Sequence, residues 1–192
     1  MSSSGIKRIL DCLCDTSSCI EKSHIKWDRT SQDFVHSRID GCVSTSSNEK
    51  KCDCLIMYSP SRVNRTYVFI VEVKRANYNI GEVIEQLLSC RNKFNLASRN
   101  IGAHLLNVNT IRSMLPAPYQ TNQGMARLVC RSLSNIRQEN YDLIPVFCAK
   151  RKIRLLQRVG YTHRFKLKIG SRKSIPIGFV KSGEDILTRF RN

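Results

Sequence analysis

Residues 67–74 read YVFIVEVK, and no other segment limits the fold as much. Six of the eight residues are apolar, aromatic or β-branched, the composition of a buried strand. Side chains two apart on a strand share a face, so Glu72 and Lys74 point one way while Val71 and Val73 point the other. Burying an unpaired carboxylate or ammonium is costly, on the order of several kcal/mol. The pair at this strand's end therefore has a partner, reaches water or holds an ion.

The surroundings place the strand. Residues 52–58, CDCLIMY, alternate as a second strand, and the turn formers of 59–66 connect the two as an antiparallel hairpin. Ile80, Val83, Ile84, Leu87 and Leu88 recur at helical spacing, which predicts a helix to about residue 97. A short helix is expected within 101–118, ended by PAP, and another over 124–138. Residues 142–150, DLIPVFCAK, read as a buried strand despite Pro145. Upstream, residues 5–15 have the pattern of a short amphipathic helix. SQDFVHSRI reads as a helical turn or two, and 39–43 as a short strand. Downstream, IRLLQRV, THRFKLKI and IPIGFV read as three short strands and GEDILTRF as a closing helix. The expectation is a single domain over 1–192 of the α/β or α+β class with a mixed sheet. Its core covers about 5–150, and a basic β-rich extension covers about 151–192.

Charge narrows the partners. The 192 residues carry a formal net charge of +17, distributed unevenly. Residues 1–60 are neutral, 61–140 carry +7 and 141–192 carry +10. A positive field over the last two thirds points to a polyanion, with nucleic acid ahead of an anionic membrane. No run approaches the roughly 20 apolar residues of a membrane span. The N-terminal residues lack a secretory pattern, so an intracellular (cytoplasmic) location is expected. The nine cysteines include two C-x-C pairs but no C-x-x-C pairs at zinc spacing. Buried free thiols, or disulfides of the kind found in hyperthermophile cytoplasm, are the expected forms.

Asp53 lies among the apolar residues of the upstream strand. In a hairpin it can stand beside Glu72, and two carboxylates that close repel unless a cation lies between them. Oxygen-only ligands favour Mg²⁺ or Mn²⁺. The alternative at the level of these residues is a salt-bridged strand end. Asp53, then Glu72-Val73-Lys74 at the end of a hydrophobic strand, resembles the motif of the PD-(D/E)XK nuclease superfamily. That superfamily includes restriction endonucleases and archaeal Holliday junction resolvases, and Cys52 occupies the position of its proline.

The resemblance implies a restriction endonuclease-like αβββαβ core and metal-dependent hydrolysis of DNA phosphodiesters. It implies that Asp53, Glu72 and the Val73 carbonyl hold Mg²⁺ or Mn²⁺, that Lys74 assists the attacking water, and that Gln86 contacts the site from the next helix. Asp11, Glu21 and Asp33 compete for the role of an acidic residue on the first helix. A homodimer is compatible with this reading, since nucleases that cut both strands often pair two sites. Arg75, Lys166, Lys168, Arg172 and Lys173 are candidate phosphate contacts, the last four in a segment that interleaves basic and apolar residues as a β-ribbon would. The alternative function is a non-catalytic nucleic-acid-binding protein that uses the basic C-terminal surface.

Overall fold

The computed structural model describes residues 34–38, 52–74, 78–149, 164–169 and 173–181. Among these residues six strands form one mixed sheet: β1 (Phe34–Arg38), β2 (Cys54–Tyr58), β3 (Thr66–Lys74), β4 (Tyr141–Ala149), β5 (Arg164–Ile169) and β6 (Lys173–Lys181). Their order across the sheet is β1-β2-β3-β4-β6-β5. The first three strands are a meander, with Cys54 opposite Val71 and Tyr58 opposite Tyr67 in the expected hairpin. Between β3 and β4 run α1 (Ile80–Arg99), a 3-10 turn (Ala103–Leu106), α2 (Val108–Met114), α3 (Ala117–Gln120) and α4 (Gln123–Arg137). This crossover makes β4 parallel to β3, and β6 then adds parallel to β4. The protein is thus a mixed α/β fold, as expected.

Burial on both faces explains the near-continuous apolar run of β3. Val68 and Ile70 belong to the helix-side core with Val83, Leu87 and Phe94 of α1 and Val129, Leu133 and Ile136 of α4. Phe69 and Val71 pack on the opposite face with Cys54, Ile56, Ile144, Val146 and Cys148. α1, α2 and α4 begin at side-chain caps that supply acceptors to otherwise unpaired N–H groups. Asn79 accepts from the Gly81 N–H at 2.8 Å, and Asn122 accepts from the Met125 N–H at 3.0 Å. Asn135 of α4 donates to Thr66 and Ser59, whose hydroxyls are 3.0 Å apart, which fastens α4 to the turn end of the hairpin.

Pro145 sits in a central strand because it disturbs only one side of the ladder. β4 pairs with β6 only from Val146 onward, so no bond to β6 is lost at the proline. Two sequence expectations need correction. SQDFVHSRI is not a helical turn, since Phe34–Arg38 is a strand extending the edge of β2. Edge pairing to β2 dictates that conformation, and five residues are too few for periodicity to reveal it. Asp53 lies in a bend immediately before β2 rather than within the strand. The helix expected over 5–15, the strands expected at 39–43 and IRLLQRV, and the closing helix fall outside the described residues. THRFKLKI and IPIGFV correspond to β5 and β6, paired antiparallel.

Cysteine chemistry takes both expected forms. Cys52 and Cys90 form a buried disulfide with Cα atoms 6.2 Å apart, joining the start of β2 to the middle of α1. Cys130 is a buried free thiol. No helix among the described residues is long and apolar enough to cross a membrane.

Candidate active site

Antiparallel pairing carries Asp53 to the end of β3. Its backbone N–H donates to the Val71 carbonyl at 3.1 Å, and its Oδ2 accepts from the Val73 N–H at 2.7 Å. Asp53 is therefore held to the residues on both sides of Glu72. A strand residue directs its N–H and C=O toward the same neighbour, so the Val73 carbonyl faces the Asp53 side.

Glu72 lies on the helix-side face with Val68 and Ile70, and it is only 2% exposed. Phe147 of β4 is its register partner, and Tyr78 stacks edge-on against that ring with centroids 5.0 Å apart. The Glu72 Oε1 is 2.5 Å from the Lys74 Nζ. Its Oε2 is buried with no hydrogen-bond partner among the described residues. Burial first, and the negative charge of Asp53 second, push the Glu72 carboxyl up to about 7. The Lys74 ammonium and the Asp53 backbone N–H act in the opposite direction without cancelling the rise. Lys74 itself is at the rim, with its side chain 28% exposed.

Gln86 comes from α1, one helical turn before Cys90. Its Oε1 is also buried without a partner among the described residues, and its backbone carbonyl oxygen lies 3.4 Å from the Cys52 sulfur. The disulfide thus secures α1 beside the residue preceding Asp53. That tie was not foreseen, although a cysteine in place of the motif's proline was its signal. Tyr78, the aromatic wall behind Phe147, gave no signal of its own.

The remaining candidates are elsewhere. Lys166 and Lys168 are on β5 at the outer edge of the sheet, three strands from β3 and roughly 14 Å away across the ladder. Lys173 opens β6 opposite Ile169. These lysines do not join the carboxylates. Arg75, Arg172, Asp11, Glu21 and Asp33 lie outside the described residues. Among the described residues, no group of three His, Cys, Asp or Glu side chains is gathered in metal-binding fashion.

The assembled site is a pair of neighbouring carboxyl groups, one buried with an unpartnered oxygen, beside a rim ammonium and a backbone carbonyl. Such a set has the chemistry to hold a hard cation through oxygen and an anion through the lysine. No family model matches the chain, and neither a curated protein nor a solved structure matches it. Function has to be read from the geometry.

Proposed function

We propose that the protein is a metal-dependent nuclease that hydrolyses DNA phosphodiester bonds at the end of β3. The observation that carries this reading is the buried Glu72 carboxyl, with its orphaned Oε2 beside Asp53. Leaving a buried oxygen unpaired costs about 1–3 kcal/mol, and placing a second carboxylate next to it adds repulsion. A structural salt bridge with Lys74 would satisfy only one oxygen. The residues present fit Mg²⁺ or Mn²⁺, held by Asp53, Glu72 and the Val73 carbonyl. When bound, that cation would neutralise the negative charge developing on the phosphate and promote ionisation of the attacking water.

The protein's own groups do the positioning. Lys74 donates from the rim to a phosphate oxygen or to the attacking water. Gln86 Oε1 offers that water an acceptor, which would satisfy an atom otherwise left unpaired. Asp53 is kept in place by the Val73 N–H, and Phe147 and Tyr78 exclude bulk water from behind Glu72. The three-strand meander, the following helix and a fourth strand parallel to the third support a restriction endonuclease-like core. Two copies acting on opposite strands is the assembly this reading favours.

The Lys74–Glu72 ion pair favours the other reading, a non-catalytic nucleic-acid-binding protein, because it already neutralises one carboxylate oxygen. Incubation with Mg²⁺ or Mn²⁺ and linear, branched or single-stranded DNA separates the two. Cleavage is expected, and Asp53→Asn, Glu72→Gln or Lys74→Met should each reduce it by about 10²–10³-fold or more while DNA binding persists. Salt-dependent binding without cleavage of any of these substrates would establish the second reading.

A further inference from the structure

A second feature lies at the opposite end of the helix layer. A cleft of about 480 Å³ opens between the C-terminal half of α1, the end of α4 and the first residues of β4. Arg91 and Arg99 of α1 and Arg137 of α4 line it, with Asn95, Ser98 and Tyr141 between them. It is separate from the carboxylate site. Tyr141 pairs with Thr66 at the start of β3, whereas Glu72 pairs with Phe147, six strand residues and roughly 20 Å further along.

The three arginines differ from those with structural roles. Arg65 forks onto Asp142 through bonds of 2.7 and 2.8 Å, and Arg131 donates to the Ser59 carbonyl. Arg91, Arg99 and Arg137 make no ion pair among the described residues. Like charges lining one small cleft repel unless an anion lies between them. Glu139 is the one acidic residue among the described residues of the lining, and the balance of these stays positive with it included. The Tyr141 hydroxyl donates to Asn95 Oδ1 at 3.3 Å, which leaves the Asn95 NH₂ to donate into the cleft. Ile136 and Leu143 add apolar lining.

We propose that this cleft binds consecutive phosphate groups, with the sugar-phosphate backbone of a nucleic-acid strand as their source. Guanidinium forks match phosphate oxygens bidentately, and the apolar lining suits a sugar ring better than it suits a bare inorganic anion. The inference does not depend on hydrolysis at Glu72, so its test omits divalent cations.

Binding of a 12-nucleotide single strand and of inorganic tripolyphosphate would be measured in EDTA buffer across a salt series. One variant combines Arg91→Gln, Arg99→Gln and Arg137→Gln. The control combines Arg62→Gln, Arg112→Gln and Arg127→Gln, which removes the same charge from exposed positions on other parts of the surface. The cleft variant should lose about tenfold or more in strand affinity, and its salt slope should fall by about 2, as expected for three lost contacts at ~0.7 each. The control should change by less than about threefold. A cleft-specific loss confined to tripolyphosphate keeps the phosphate site and assigns its source to a free polyphosphate. Equal losses in cleft variant and control, or no loss in either, would overturn the proposal. Should the glutamine triple variant fail to fold, the Arg→Lys triple at the same positions serves instead. It should weaken strand binding several-fold with the salt slope kept, and unchanged affinity would overturn the proposal.

Discussion

Glu72 is a carboxyl that folding makes harder to ionise, and this has a definite sign. Its folded value of about 7 is above the ordinary 4.5. Between these values the folded chain holds a proton that the unfolded chain releases, so stability falls as pH rises. The contribution is fully present below about pH 4.5 and lost as pH climbs through about 7. The loss is on the order of 3 kcal/mol. Glu72→Gln should therefore raise stability above pH 7 in EDTA and flatten this part of the pH profile, as followed by urea unfolding at a series of pH values. Equal slopes for the variant and the parent would show that Glu72 is not strained. Glu139 is a second strained residue, with a φ of 57° just past α4. A residue with a Cβ is disfavoured there, and glycine is the usual occupant of a helix C-terminus in that conformation. Glu139→Gly should stabilise the fold by about 1 kcal/mol, measured as a shift in the unfolding midpoint.

At the level of elements, α1 and the β2–β3 hairpin depend on each other. α1 covers the helix-side core through Val83, Leu87 and Phe94, and Cys90 joins that face covalently to Cys52. The bridge spans a sequence separation of 38 residues, for which loop-closure entropy predicts about 4 kcal/mol of stabilisation. Cys52→Ala with Cys90→Ala should lower stability by roughly this amount. It should also weaken cation binding, since Asp53 loses the tether beside it. Unchanged stability would mean that the bridge contributes nothing in solution. The long, strongly patterned elements were legible in advance: α1, α4, the hairpin and β4 each show a clear helical period or an apolar run. β1 was not, because its five residues acquire strand character only by pairing with β2. Asp53 stands near Glu72 from the bend before β2 rather than from the strand itself, since hydrophobic alternation does not mark where a ladder ends.

Across the whole molecule, the length of β3 and β4 separates two chemistries on the helix side of the sheet. Carboxylates gather at the C-terminal end of β3, while arginines without an ion pair among the described residues line the cleft near the N-terminal end of β4. The net charge of +17 raises the expectation of a polyanionic partner without locating a surface for one. The arginine cleft was invisible in the sequence because Arg91, Arg99 and Arg137 come together only when α4 packs beside α1. The β-ribbon lysines showed the opposite pattern. Their interleaving marked β5 and β6 correctly, yet the sheet order sets them at its far edge rather than beside Glu72. The central claim is that the charges ending β3 are completed by a divalent cation. Calorimetric titration with Mn²⁺ at pH 8 tests it most directly. One Mn²⁺ per chain should bind to the parent, with the affinity reduced at least about tenfold in both Asp53→Asn and Glu72→Gln. No binding to the parent, or binding unchanged in both variants, would contradict it.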